Sequence, residues 1–464
     1  MKKEVQDKYY KALADTVGGE QGEKIANAIR ALYSLYTPEM IDWFANLYDP
    51  RLGGYYYSNG ARDNRKICHT DGKVYDLSVD AESTQQALRF IRDSGLAGEV
   101  GDSWTKVLPE WTREQIGRYI MGLQDPNGFF YHPQWTKEMV DDRISRRARD
   151  LGWCTGILHD LGKLPTYDTP TGAKGSGIDY DGNPVSTAQP SETKTEETPA
   201  SNEVAIPLEM RDKESFRAYL DSLDIHNKSY GIGNTLTAIT GQIIYRDKIL
   251  KEEGADYSLC DMIIEWLNKN QNPENGLWHH AADYYGVNGL MKISGVYGKI
   301  GVLMPNIDKA IRSAVDAIST DEIPTAVTSV YNSWYAVTRL KRHLRTMGGE
   351  AGNRLADEIV RELRERAPRD IRITKEKLEA FKKPGGSFSY CITHSAPRSQ
   401  GMPMTFENAW EGDINATIIC SSDILVYFYT ALELSDKRVP IYGEDDMARY
   451  VSILEANKIR FENK

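Results

Sequence analysis

The sequence predicts an all-α fold, a closed ring of helical hairpins, on two observations. The first is a turn that recurs four times: Pro, then Gly, then a short aromatic stub, at Pro50–Tyr57, Pro126–His132, Pro273–His279 and Pro384–Tyr390. The second is the spacing of apolar residues. It is helical in segment after segment, and period-2 alternation is confined to the four stubs. Roughly twelve helices can be counted, mostly joined by short turns, which makes about six antiparallel hairpins.

Residues 7–47 read as helices, with Thr37 as N-cap, Pro38 in the first turn and the last helix running Met40 to Leu47. Ser58 to Val79 is polar and loop-like. Asp80 to Ser94 is helical, with Ala87, Leu88, Phe90 and Ile91 as its apolar face. Trp111 to Leu123 carries a capping-box pattern in Thr112 and Gln115. Ser145 to Leu161 is the next helix. Thr166 to Ala205 then turns polar, and the piece Ser186 to Ser201 has too little apolar surface to offset its ordering entropy. Because the Pro turns occur on both sides of it, this stretch is read as an arm inserted in one domain of 464 residues. Helices resume at Arg211–Leu223, Gly233–Glu252, Tyr257–Asn270, Gly286–Gly301, Ile307–Ile318, Val327–Met347, Gly352–Arg366 and Ile414–Leu434.

The charge balance of −10 argues against nucleic acid or an anionic membrane as partner, though a local basic cleft can coexist with it. No stretch reads as a membrane span, and no apolar signal segment appears after the first residues. The five cysteines are scattered with no CxxC pair, as expected of reduced thiols, and a cytoplasmic location is expected. The 27 tyrosines suit a surface that is both packed and polar, such as a sugar-binding groove or a ring with many anchored turns.

The third turn, Gln271-Asn272-Pro273-Glu274-Asn275-Gly276-Leu277-Trp278, resembles the Q-x-x-x-x-G-x-W turn of triterpene cyclases. The second keeps Gln124 and Gly128, with Phe130 in the Trp place. The turns as a group resemble those of the α/α-toroid superfamily: terpenoid cyclases, protein prenyltransferases, polysaccharide lyases and glycoside hydrolases. The resemblance implies an α/α toroid in which the Gln ties helix ends together and the Trp packs on its neighbour. It covers about a tenth of the chain and implies no particular activity.

The chemistries divide on their residues. Terpenoid cyclization needs D-x-D-D, which is absent. A prenyltransferase zinc needs Asp, Cys and His ligands, and neither Cys391 with His394 nor His279 with His280 makes a ligand string. No metal and no cofactor is expected. Toroid-type polysaccharide lyases remove a proton next to a uronic carboxylate. They need a neutraliser, a base and an acid. Asp224-Ile225-His226-Asn227-Lys228-Ser229-Tyr230-Gly231-Ile232-Gly233-Asn234 brings those types together at the predicted start of a helix, and it resembles the Asn/His/Tyr segments of alginate-type lyases. Helix capping by Ser229 and Asn234 is the plainer account of the same residues.

The expected catalytic residues are therefore His226, Tyr230 and Asn227. Substrate-binding residues are expected at Asn234, Tyr331, Asn332 and Trp334, at Arg146 and Arg149, and at the turn residues His132 and Trp278. A glycoside hydrolase would instead use paired carboxylates. Asp80 with Glu82 and Glu411 with Asp413 both precede helices, where acidic residues are also favoured by the helix dipole. The functional expectation is a carbohydrate-active enzyme of polysaccharide degradation that cleaves a uronic-acid-containing oligosaccharide by β-elimination. Hydrolysis and a non-catalytic binding scaffold are the alternatives. The expected partner is a small oligosaccharide, with oligomeric state left open.

Overall fold

The computed structural model describes residues 3–64, 66–185 and 206–463. It is mostly helical. The helices are α1 (Lys3–Val17), α2 (Gly19–Tyr33), α3 (Glu39–Asn46), α4 (Asn59–Asp63), α5 (Ala81–Ser94), α6 (Glu110–Gly122), α7 (Lys137–Asp141), α8 (Ile144–Asp160), α9 (Lys213–Asp221), α10 (Ile225–Glu252), α11 (Leu259–Asn270), α12 (Tyr284–Ile300), α13 (Ile307–Ile318), α14 (Val327–Met347), α15 (Gly349–Glu379), α16 (Ile414–Ile418), α17 (Ile424–Ala431) and α18 (Glu444–Glu462). Three short antiparallel hairpins complete it. They pair β1 (Tyr48–Asp49) with β2 (Gly54–Tyr55), β3 (Lys66–Cys68) with β4 (Val74–Asp76), and β5 (Arg398–Ser399) with β6 (Met402–Pro403).

Packing runs in succession: α5 on α8, α8 on α10, α10 on α12, α12 on α14, and α14 on α17, while α16 packs back on α5. A second set lies behind these: α6 on α8, α11 on α10, α13 and α15 on α14, and α2 on α15. Asp80, Asp283 and Asp413 cap α5, α12 and α16 by accepting the backbone N–H three residues on. Each such cap satisfies a donor that the first helical turn leaves open.

Two of the Pro turns carry side-chain clamps. Gln271 donates to the Gly276 carbonyl at 2.8 Å and accepts from Asn306 at 3.0 Å, so it ties the end of α11 to the start of α13. The Trp278 indole donates to the Leu267 carbonyl at 2.9 Å and packs beside Tyr297. Gln124 plays the corresponding part in the second turn. It donates to the Tyr167 carbonyl and accepts from the Tyr167 N–H, both at 3.0 Å, and so holds the start of the polar stretch. Within that stretch Tyr180 also lies against Gly117, and Asp181 pairs with Arg118. Residues 186–205 lie outside the described residues.

Several boundaries differ from expectation. Thr112 is inside α6, buried with its hydroxyl unpartnered, and Pro109 precedes the helix in its place. Gln115 accepts from the Tyr48 hydroxyl rather than capping. Helix α10 begins at Ile225, eight residues before Gly233, with a break at Lys228 (φ −129, ψ 33). Helix α15 runs through Pro368 to Glu379. The last expected helix is divided by a π turn, Ile419–Asp423, between α16 and α17. Ile414–Ala431 is also long and apolar enough by composition to cross a membrane, and 78% of it is buried within the fold. The strands at 66–76 and 398–403 fall in segments that show no alternation.

Candidate functional site

A cavity of about 440 Å³ opens among α5, α8, α10, α12, α14 and α16, with the β5–β6 hairpin against it. Five basic side chains line it, Arg89, Arg143, Arg149, Lys292 and Arg398, against two acidic ones, Glu82 and Asp423. Four tyrosines, Tyr57, Tyr230, Tyr331 and Tyr390, and three asparagines, Asn234, Asn332 and Asn415, complete the polar wall. A larger hollow of about 690 Å³ lies elsewhere, between α3 and the end of α18, and holds none of the expected site residues.

Tyr230, Asn234, Tyr331, Asn332, Arg149 and Glu82 share the cavity. Tyr230 and Tyr390 both line it, and burial first, then Tyr230, pushes Tyr390 well above its ordinary range. Thr328 lies 3.4 Å from the same Tyr390 hydroxyl. Lys292 Nζ stands 5.6 Å from the Tyr230 ring centroid. Burial drives Lys292 well below the ordinary lysine range, and Arg149 and Arg339 add to the effect. The Asn332 amide donates to Asn288 Oδ1 at 2.8 Å, while its own Oδ1 is buried without a partner. Arg89 pairs with Asp423 at 2.6 Å, and Tyr331 reaches the same carboxylate at 3.5 Å. Burial raises Asp423 even against the pull of Arg89.

Behind the wall, Arg146 is fully buried and holds three carboxylates: Asp150 at 2.8 Å, Glu82 at 2.9 Å and Asp80 at 3.5 Å. Trp135 stacks on its guanidinium at 4.5 Å. Burial alone would raise Asp150, but Arg146 and His132 outweigh it and hold Asp150 below its ordinary value. Asp80 goes the other way, because burial outweighs Arg146 and His132. Glu82 faces the cavity and pins two more elements: Ser399 donates to it at 2.7 Å and Asn415 at 3.1 Å.

Other expected residues stand elsewhere. His226 precedes the break at Lys228. It contacts the Trp278 carbonyl at 3.0 Å and stacks on His280, away from the cavity. Asn227 is spent on Asp224 at 2.9 Å. Trp278 and Trp334 are core residues, and the Trp334 indole donates to Thr374. His132 is buried beside Asp150 at 3.4 Å and Tyr119 at 3.3 Å. Arg146 and Asp80 stand behind the wall rather than on it. Glu411 anchors the α4 turn through Ser58 at 2.7 Å and the Gly60 N–H at 2.7 Å. Asp413 is fully buried as the cap of α16, and the Tyr390 N–H also donates to it, at 2.9 Å. Burial pushes Asp413 up to about 7 against these hydrogen bonds, and the Tyr57 hydroxyl lies beside it.

Lys292, Arg89, Asp423, Tyr57, Tyr390 and the 398–401 tip join the cavity without having been expected there. For Lys292 one signal exists. It is the lone charge in the run Val287–Val296 of α12, so a cavity or a partner is needed wherever that helix is enclosed. Among the described residues no group of three His, Cys, Asp or Glu side chains is placed to hold a metal ion. No family model matches this chain, and no curated protein or solved structure does.

Proposed function

We propose that the chain is an α/α toroid whose cavity takes a short uronic-acid-containing oligosaccharide and cleaves it by β-elimination. The toroid reading rests on the helix succession that begins and ends at α5. The functional reading rests on one observation. A chain of net charge −10 gathers five basic side chains against two carboxylates in a cavity that two neighbouring phenols, Tyr230 and Tyr390, also line.

Elimination needs the carboxylate neutralised so that its α-carbon gives up a proton. Arg143 and Arg149 offer planar donors for that carboxylate, and a preorganised cation stabilises the developing enolate more than the ground state. Tyr230 takes the C5 proton. The C5 electron pair forms the C4–C5 double bond as the C4–O bond breaks, and Tyr390 gives its proton to the leaving oxygen. Hydrolysis fits less well. Glu82 is held by Arg146 and Asp423 by Arg89, so both cavity carboxylates are engaged by arginine rather than left as an acid and a base.

Incubation with a panel of uronate oligosaccharides tests the reading. The expected result is the ultraviolet absorbance of a new C4–C5 double bond. New reducing ends without that absorbance would replace elimination by hydrolysis. Binding without either signal would leave a non-catalytic sugar-binding ring.

A further inference from the structure

Lys292 differs from the other enclosed lysines of the chain. Lys341 donates to the Thr430 and Ala431 carbonyls, Lys377 to Tyr284 and Thr320, and Lys383 to the Ile392 carbonyl. Among the described residues no carboxylate, carbonyl or hydroxyl accepts from Lys292 Nζ. Thr237 bonds only its backbone carbonyl. The groups that face it are Glu82 from α5, Arg149 from α8, Tyr230 from α10 and Arg339 from α14. Two of the four are guanidiniums. Arg339 is itself fixed, by the Met291 carbonyl and the Tyr335 hydroxyl.

An ammonium in that position lines the cavity half-buried, has no protein acceptor among the described residues and is flanked by two guanidiniums. Its neutral form is favoured, and a neutral amine carries a nucleophilic lone pair. The same cavity presents Arg143, Arg149 and Arg398, which suit a carboxylate. A ligand held by its carboxylate on these guanidiniums would bring an adjacent carbonyl to the amine.

We infer that Lys292 is a nucleophile that captures the carbonyl carbon of a small α-keto acid as an imine. The Nζ lone pair adds to the keto carbon while the carbonyl π pair moves to oxygen. The oxygen takes a proton from the Tyr230–Tyr390 pair, and the nitrogen returns one to it, giving a carbinolamine. A second proton from the pair lets water leave as the C=N bond forms, and the iminium nitrogen then returns that proton to the pair. Amine plus ketone becomes imine plus water, with no change of oxidation state. This activity shares the cavity with the elimination reading and does not depend on it.

The test uses the full chain, pyruvate and cyanoborohydride at neutral pH, with the reduced adducts located by peptide mass spectrometry. Lys292 is expected to be labelled at least about tenfold faster than the exposed Lys24, Lys174 and Lys248, since each unit by which its pKa falls raises the neutral fraction tenfold. Labelling of Lys292 no faster than those lysines would overturn the inference. Arg143→Gln is expected to slow capture of pyruvate and to spare capture of acetone, which has no carboxylate. Equal rates of pyruvate capture in the variant and the parent would remove the keto-acid assignment. The uronate panel is scored separately, so either reading can fail alone.

Discussion

The Asn234 side-chain amide donates to Gln400 Oε1 at 2.5 Å, which joins a wall helix of the cavity to the tip of the β5–β6 hairpin. Gln400 holds φ +50 there, beside Gly401 at φ +85, in the two-residue turn between Ser399 and Met402. A left-handed non-glycine residue is strained by about 1–2 kcal/mol, and such strain collects at functional sites. Gln400→Gly removes the strain together with a hydrogen bond worth about 1 kcal/mol. Stability should therefore change by less than about 1 kcal/mol, while amide exchange at residues 399–402 quickens. Unchanged exchange there would show that the bridge does not hold the tip.

Arg146→Met should cost about 3–5 kcal/mol in urea denaturation, because Asp80, Glu82 and Asp150 would stay buried without their cation. Arg146→Lys should recover little, since a point charge cannot reach three carboxylates as a planar fork does. A loss below about 1 kcal/mol for the Met variant would mean the cage is already neutral by proton sharing.

Asp413 gives a pH dependence with a definite sign. Its carboxyl stands at about 7 when folded and at the ordinary 3.8 when exposed. Between those values the folded chain binds the extra proton, so its stability falls as pH rises. The contribution is fully present below 3.8 and is lost through about 7. The loss is at most on the order of 4 kcal/mol, at about 1.36 kcal/mol per pKa unit. Asp413→Asn should remove that slope, although one of its two backbone donors would then face an amide N–H. Parallel stability curves for both proteins from pH 4 to pH 7 would refute the assignment.

For the proposed elimination, Tyr230→Phe should lower kcat by about 100-fold or more at unchanged fold. His226→Ala should leave kcat unchanged, because its ring lies against the third Pro turn. The reverse pattern would return the chemistry to the α10 start.

The helices were legible because burial demands an apolar stripe, and the stripe repeats. Gln124 and Gln271 could be singled out only through the resemblance of their turns to a known turn, and each amide does bridge two backbone or side-chain partners. The cavity was legible only in part. Tyr230 and Asn234 could be singled out by type, but residue type does not reveal that Lys228 breaks the helix and turns His226 away. Glu82 could be noticed as an acidic helix start. Its hold on Ser399 and Asn415 depends on contacts more than 300 residues apart, which no local pattern encodes. Lys292 was hidden for a related reason. A lysine within an apolar helix marks a constraint without saying which face meets the cavity.

The π turn at Ile419–Asp423 has a consequence for how this wall can vary. Such a turn accommodates one residue beyond the regular helical count. Removing a single residue from it would restore an ordinary helix and swing α17 by about 100° around its axis. Asp423 would leave Arg89, and Tyr427 would leave its stack on Tyr335, while the Asp413 cap stayed where it is. One deletion could therefore recast this side of the cavity at a stroke, a step that no series of point substitutions reproduces.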